Sequence, residues 1–369
     1  MSKSNRLSIR RRRLLPIQLA FAAAIILVYE IGITSCIPIV PALPTKPPGR
    51  LGNPTPSSSR TIIEQSLPLH EIWRKSSTWG GLGVSARTSS FRALAATPKI
   101  VYVANFSSIL KLWQVIALDP KTGTKLWETE PFEHVMALAV GPNSLFIASG
   151  SGIKAYDSTS GGLEWISNQP PPDHEGYAIF FEESQLKFFI TKGDRRKFST
   201  IDPESGLVGE FQELEDIVAI DSQYRYFRNG RQFWVEEITT NKVKWVIPIR
   251  DKAPNWPIRS GDLLVIPTTA SSVGWHSVVV VDRDTGQKIW ECIDCYASDV
   301  AVDGDTLYAI LRDGSLAAYG IRAGQVIGTI SFAGGDKIDP NVKQYALAAA
   351  DGAVFLYFDD SQELIALGP

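Results

Sequence analysis

Short apolar segments, separated by turns rich in glycine and aspartate, fill the chain from about residue 66 to its end. In one copy the segments are 299–302, 307–311, 316–319 and 325–330. Segments of this length, bounded by turn signals, are typical of β-strands. The pattern therefore predicts a four-stranded antiparallel unit, with paired segments of the same kind at 136–140 and 145–148, 178–181 and 186–190, 217–220 and 224–227, and 346–349 and 354–358.

A motif repeats in step with these units. Its three clearest copies share an Asp, a Gly four residues later and a Trp eight residues later: Asp119, Gly123 and Trp127; Asp157, Gly161 and Trp165; Asp282, Gly286 and Trp290. Weaker copies are Asp202 with Gly206, Glu237 with Trp245, and Gly320 with Gly324, and the last copy ends at Gly368. Seven copies of four short strands predict an all-β fold, a seven-bladed β-propeller.

Each residue type of the motif has a physical role. The Asp carboxylate can accept backbone N–H groups across the turn, and the Gly can adopt the positive φ that a short bulged hairpin requires. The Trp ring can fill the gap between adjacent sheets. We therefore expect these residues to be structural, and the repeated Asp residues to be turn caps rather than catalytic carboxylates.

The two ends of the repeat region predict how the ring closes. The seventh copy stops at Pro369 without its outer, Trp-bearing strand, and an unpaired segment of that kind around Trp73 precedes the first copy. We expect this N-terminal strand to complete the last blade, which removes an unpaired sheet edge.

The N-terminus predicts a membrane anchor. Residues 1–13 end in four arginines, and 14–37 are mostly apolar and carry no charge except at Glu30. The length suits one membrane helix, and the basic cluster places residues 1–13 in the cytoplasm and everything after the helix outside it. The alternative is a lipoprotein signal, because residues 33–36 have lipobox spacing with Cys36 as the lipidated residue. Glu30, close to that cleavage site, favours the uncleaved helix.

The segment 38–65 is rich in proline and then serine, without a helical or alternating apolar pattern. It predicts an extended linker. The domain organisation is therefore a cytoplasmic basic segment (1–13), an anchor (14–37), a linker (38–65) and a propeller (66–369), with the propeller expected to be a monomeric head outside the cytoplasm.

The charge balance and the cysteine count exclude some classes of function. Among 369 residues there are 37 Lys and Arg against 39 Asp and Glu, a net charge of −2. No general cationic excess is available to displace counterions from phosphates, so we expect no nucleic acid partner. Three cysteines and four histidines are too few for a disulfide scaffold or a multi-metal site.

The repeat A-x-D-x-x-T-G-x-x-x-W, clearest at 117–127, resembles the PQQ-like, tryptophan-docking repeat over about residues 66–369. That family includes quinoprotein dehydrogenases and a non-enzymatic outer-membrane lipoprotein of β-barrel assembly. The chain lacks the adjacent cysteines that usually cover the quinone, and no Glu, Asn and Asp set matches the family's calcium ligands. The resemblance therefore implies a scaffold without a cofactor, with a PQQ-dependent oxidoreductase as the alternative.

Cys292 and Cys295 follow Trp290 at a connection between two blades. A thioredoxin-like motif would have to open a helix, and a zinc site would need further ligands. An oxidising compartment favours a local disulfide, and free buried thiols are the alternative.

A partner-binding face is expected on the side of the propeller opposite the Asp–Gly turns. Basic residues and aromatics at connections between strands and between blades make it a candidate for protein docking: Lys192, Arg195, Arg196, Arg228, Arg231, Trp256, Trp275 and His276. We found no catalytic constellation. The sequence thus predicts a membrane-tethered scaffold with a protein partner in the cell envelope. A carbohydrate or cell-wall binding module, suggested by Trp256 and Trp275, is a further alternative.

Overall fold

The computed structural model describes residues 61–76, 94–107, 110–167, 176–192, 195–213, 216–249, 253–254, 257–269, 276–296, 300–333, 345–358 and 363–369. Residues 1–60, which include the predicted anchor, most of the linker and Cys36, lie outside these ranges. No helix among the described residues has the length and apolarity to cross a bilayer.

The described residues form strands that we number β1 to β30 in chain order. The first two are β1 (Thr61–Gln65) and β2 (His70–Ser76). Blade 1 contains β3 (Leu94–Ala96), β4 (Val101–Ser107), β5 (Leu112–Leu118) and β6 (Lys125–Glu128). Blade 2 contains β7 (Val135–Val140), β8 (Ser144–Ser149), β9 (Gly152–Asp157) and β10 (Leu163–Ser167). Blade 3 contains β11 (Gly176–Glu182), β12 (Gln185–Lys192), β13 (Arg195–Ile201) and β14 (Gln212–Glu213).

The remaining blades follow the same order. Blade 4 contains β15 (Ile217–Ile220), β16 (Tyr224–Asn229), β17 (Gln232–Glu237) and β18 (Lys242–Pro248). Blade 5 contains β19 (Ala253–Pro254), β20 (Ile258–Ser260), β21 (Leu263–Thr269), β22 (His276–Asp282) and β23 (Lys288–Tyr296). Blade 6 contains β24 (Ala301–Asp303), β25 (Thr306–Ile310), β26 (Leu316–Gly320) and β27 (Val326–Ala333). Blade 7 contains β28 (Tyr345–Ala350), β29 (Ala353–Phe358) and β30 (Glu363–Gly368).

Seven antiparallel sheets therefore follow one another along the chain, and the predicted seven-bladed propeller with four-stranded blades is confirmed. The apolar residues lie between successive sheets, in clusters that combine two neighbouring blades, such as Val115 of blade 1 with Leu145 of blade 2. We call the contact between two consecutive blades a seam and name it by its blades.

The Asp–Gly turns connect the third and fourth strands. In blade 1 the carboxylate of Asp119 accepts the backbone N–H groups of Lys121 and Thr122 at 2.9 and 2.8 Å, and Gly123 has a φ of 67°. The fourth strand then enters with a β-bulge opposite Ala117 and Leu118. The turns at Asp157, Asp202 and Asp282 repeat the same carboxylate hydrogen bonds.

Five tryptophans each dock on the turn of the following blade. The indole N–H donates to a backbone carbonyl there: Trp73 to Pro120 (2.8 Å), Trp127 to Ser158 (2.9 Å), Trp165 to Pro203 (2.9 Å), Trp245 to Arg283 (2.9 Å) and Trp290 to Ile321 (2.6 Å). The ring covers the turn glycine, where a Cβ would come within 2.5 to 2.7 Å of an indole carbon: Gly123, Gly161, Gly206, Gly286 and Gly324. Trp and Gly therefore work as a pair across each of these seams.

The N-terminal strand closes the ring as predicted. β2 pairs antiparallel with β30, with Trp73 opposite Ala366, and becomes the fourth strand of blade 7. Arg74 adds an ion pair to Glu363 at 3.2 Å, although Glu363 is only 1% exposed. The two ends of the propeller are thus joined by ladder hydrogen bonds, an indole dock and an ion pair whose carboxylate is buried.

One strand was not expected from the sequence. β1 lies within the segment that was predicted to be linker, and it pairs with β27 as a fifth strand of blade 6, with Thr61 opposite Ala333. Ser66 and Leu67 then cross blade 6 beside Gly328, and both donate N–H groups to the carbonyl of Thr329, at 2.7 and 3.4 Å. Gly328 pairs with Ala318, the position that a Trp takes in the docked blades. Leu67 and Leu69 pack into the apolar cluster of seam 6/7, where the docked seams have a Trp ring.

Candidate protein-docking face

The fold places three hairpin tips of consecutive blades on one face. They connect the second and third strands of blades 3, 4 and 5, whereas the Asp–Gly turns connect third and fourth strands on the other face. The last ladder pairs at these tips are Lys192 with Arg195, Asn229 with Gln232, and Thr269 with His276. Most of the predicted basic residues therefore lie at the ends of adjacent hairpins.

The tip of blade 4 has the best described geometry. Gly230, with a φ of 56°, and the exposed Arg231 form its two-residue loop. Asp216 supports the loop from the side, because its carbonyl accepts the N–H of Arg228 and its carboxylate accepts the side-chain amide of Asn229, both at 2.8 Å. A cationic, solvent-facing residue is thus carried on a rigid turn.

The other predicted residues are described less fully. Lys192, Arg195 and Arg196 lie in the paired ends of β12 and β13, and only their backbone is described. His276 is half-buried at the start of β22, where it pairs with Tyr296 as well as Thr269. Trp256 and Trp275 lie outside the described residues.

Cys292 and Cys295 form a disulfide with their Cα atoms 5.9 Å apart. On β22, Val278 pairs with Cys292 and His276 pairs with Tyr296, so β23 is longer than β22 between these two pairs and forms a bulge. The disulfide closes this bulge. Beyond the bulge Tyr296 is fully buried, packs edge-on against Tyr319 and bridges to Leu311 of blade 6. The disulfide therefore shapes the end of blade 5 beside His276.

The repeated aspartates are committed to their turns. The backbone N–H of Thr122 is the largest cause that holds the pKa of Asp119 below its ordinary value. The side chain of Ser160 does the same for the pKa of Asp157, and the backbone N–H of Ser205 for that of Asp202. Such carboxylates stay ionised and already hydrogen-bonded, as capping groups should.

A polar network in seam 4/5 was not anticipated. Arg283, 6% exposed, donates to the carboxylate of Asp221 at 2.9 Å and to the hydroxyl of Tyr226 at 3.1 Å. The Tyr226 hydroxyl also donates to Asp221, and burial, followed by the Asp221 charge, raises the pKa of Tyr226. Arg283 directly follows the motif Asp282, where the sequence pattern indicates only a turn.

A second polar cluster connects blades 3, 4 and 5 on the Asp–Gly face. The Glu183 carboxylate accepts the N–H and the hydroxyl of Ser222 at 2.7 and 2.8 Å and pairs with Arg259 at 2.9 Å. Within seam 3/4 itself, Lys187 is 3% exposed and donates to the carbonyl of Ile220 at 2.9 Å. Glu183, Lys187 and Arg259 belong to no sequence motif, so these contacts could not be predicted from the sequence.

No group of three or more His, Cys, Asp or Glu side chains within the described ranges is arranged to hold a metal ion. The interactions found at charged residues there are turn caps, ion pairs within blades, contacts between blades and the supports of hairpin tips.

Comparisons with known proteins give a family match and similar solved structures. The sequence model of the family described as outer membrane protein assembly factor BamB matches residues 70–292 and 153–367. No curated protein matches the chain. The solved β-propeller domain of Cps50 (Swd1) from Myceliophteria thermophila is similar in fold, with a TM-score of 0.55, 10% identity and coverage of 80% of this chain and 99% of that one. BamB from Moraxella catarrhalis aligns with a TM-score of 0.45 and 15% identity over 75% of this chain and 84% of that one.

Proposed function

Because the chain belongs to the family of the outer membrane protein assembly factor BamB, we propose that its propeller is a protein-binding scaffold that works without catalysis. The observation that carries the proposal is the pair of adjacent basic hairpin tips on blades 3 and 4, with Arg231 presented on a supported turn. Cationic residues on rigid turns favour partners with an acidic surface, since they steer association and set specificity.

We further propose that residues 14–37 tether the propeller to a membrane, on the side away from the cytoplasm. The basic residues before this segment support that orientation. The disulfide between Cys292 and Cys295 supports an oxidising compartment. Mass spectrometry of the mature N-terminus distinguishes the two modes of attachment: an unmodified Met1 indicates an uncleaved helix, and a lipidated Cys36 indicates a lipoprotein.

Crosslinking in native membranes, followed by mass spectrometry, tests the scaffold function and identifies the partner. The test variant is Arg195→Glu with Arg231→Glu, which reverses charge at two adjacent tips. The control is Lys121→Glu, an exposed residue on an Asp–Gly turn of the opposite face. We expect at least a tenfold loss of the crosslinked partner in the test variant and little change in the control. Equal amounts of crosslinked partner with the two variants would exclude this face as the docking surface.

The absence of catalysis is tested on the full-length protein. Addition of PQQ and calcium is expected to produce neither dye-linked alcohol oxidation nor a shift of the melting temperature. Either response would favour the oxidoreductase alternative.

A further inference from the structure

One seam of the ring is built differently from the others. Five seams hold a Trp on a Gly, and seam 6/7 is filled by Leu67 and Leu69 of the N-terminal segment. Seam 3/4 has neither. The ladder pair of Ile201 with Val208 matches that of Leu118 with Lys125, two residues before Trp127, so Glu210 occupies the Trp position of blade 3.

In seam 3/4 the turn of blade 4 that would lie under a Trp also differs from the turns of the docked seams. Asn241 stands where the docked turns have Gly, with a φ of 51°, and its N–H donates to the carbonyl of Glu237 at 2.9 Å in the same way. At the docked glycines a Cβ would overlap the indole, so Asn241 and a docked Trp exclude each other. The two substitutions therefore remove one dock completely.

A charged pair lines the place of the missing dock. Arg225 faces Glu236 across the ladder, 3.6 Å apart, and donates to the side-chain carbonyl of Asn241 at 2.7 Å. Their side chains are 24% and 20% exposed. The six equivalent pairs in the other blades are apolar or aromatic and buried: Val101 with Leu118, Leu145 with Tyr156, Leu186 with Ile201, Leu264 with Val281, Leu307 with Tyr319, and Val354 with Leu367.

The polar contacts that hold seam 3/4 involve the first two strands of each blade. Ile220, whose carbonyl accepts Lys187, ends β15, and Ser222, which donates to Glu183, lies in the turn after it. A small apolar cluster that includes Phe189 and Phe227 follows. Farther along blade 4, Arg225, Glu236 and Asn241 form a partly solvated polar contact, which contributes less to stability than a buried indole. The described contacts between blades 3 and 4 are thus those of Glu183, Lys187 and the phenylalanine cluster.

We propose that seam 3/4 is the joint at which the propeller opens, pivoting on the Glu183–Ser222 contact. Because the hairpin tips of blades 3 and 4 lie on either side of the joint, opening changes their separation. A protein bound to both tips prefers one separation and so shifts the equilibrium of the joint. This second step rests on the function proposed above, whereas the joint itself does not.

Amide hydrogen exchange of the full-length protein, without a partner, tests the joint. The N–H groups of Asn241, Gly161 and Gly286 make the same turn hydrogen bond, at 2.9 Å in each case, but only the two glycines lie beneath an indole. After correction for intrinsic rates, we expect the Asn241 amide to exchange at least tenfold faster. Equal protection at the three positions would overturn the proposal.

Rebuilding the dock provides the second test. The variant Glu210→Trp with Asn241→Gly, Arg225→Leu and Glu236→Val supplies the residues of the docked seams. We expect exchange of the amide at position 241 to slow at least tenfold and partner crosslinking to change at least threefold. If the four substitutions prevent folding, Arg225→Leu with Glu236→Val alone is expected to slow that exchange about threefold, and unchanged exchange contradicts the joint.

The outcomes separate the two proposals. Slower exchange with unchanged partner capture would refute the link between the joint and binding while leaving the joint in place. Loss of capture on charge reversal at Arg195 and Arg231 tests the docking face independently of the joint.

Discussion

Blade 4 has a docked seam on one side and an undocked seam on the other. Toward blade 5, Trp245 is 8% exposed and covers Gly286, and Tyr226 joins the buried Arg283 network. Toward blade 3, Arg225 and Asn241 form a partly solvated contact. The same strands provide both surfaces, because successive residues of a strand point to opposite faces of the sheet.

The comparison shows that a seam is specified by residues on two different blades. Trp245 on blade 4 requires Gly286 on blade 5, and the absence of a Trp from blade 3 permits Asn241 on blade 4. One substitution without the other would leave either an uncovered glycine or a steric clash. A seam without a dock therefore differs from a docked seam at one position on each of its two blades, and the strand order of the propeller is the same in both.

The largest expected effect is the removal of a docked indole. Trp245→Ala leaves a cavity in seam 4/5 and the carbonyl of Arg283 without its donor, so we expect the free energy of unfolding to fall by about 4 kcal/mol. Trp234→Ala is the matched control, because Trp234 is half-buried, faces seam 3/4 and stacks on Phe227. Urea denaturation is expected to show about half the loss of unfolding free energy for the control. Equal losses would contradict the difference between seams 4/5 and 3/4.

The turn residue beneath the indole gives the next largest effect. Gly286→Ala places a Cβ 2.5 Å from the Trp245 ring at a φ of 70°, so strain and overpacking together should lower stability by about 3 kcal/mol. Asn241→Ala changes the equivalent position of the undocked seam. It should cost only about 1 kcal/mol, since no ring lies above it. Thermal and urea unfolding of the two variants would measure the difference, and a similar loss in both would show that the ring is not the cause.

The sequence predicted the docked seams because their signal is local and periodic. Asp157, Gly161 and Trp165 stand at fixed spacing, so the blade count, the bulged turns and the closing strand at Trp73 could all be predicted. β1 could not be predicted, because Thr61–Gln65 gains its strand partner only from Ala333 and its neighbours, more than 260 residues away.

The candidate site was less predictable than the fold. Arg228 and Arg231 could be assigned to a hairpin tip from the Asn229–Gly230 turn, but their support by Asp216 depends on a connection between blades. The undocked seam did leave a signal, since Glu210 and Asn241 break the repeat at paired positions. Its meaning requires the three-dimensional fact that the Trp of one blade covers the Gly of the next.

The smallest expected effect is the response of seam 3/4 to acid. Burial alone would raise the pKa of Glu183, but the hydrogen bonds from Ser222 and Arg259 outweigh it, so the pKa lies below its ordinary value of 4.5. A carboxyl whose folded pKa is lowered contributes stability above its unfolded pKa and loses it as the pH falls through the folded pKa. We therefore expect exchange at the Asn241 amide to accelerate below about pH 4.5, with little change at Gly286.

Ser222→Ala removes the main donor, so it should cost less than about 1 kcal/mol at neutral pH and reduce that acid response. An acid response of the same size in the variant would place the pivot of the joint at a contact other than Glu183 with Ser222.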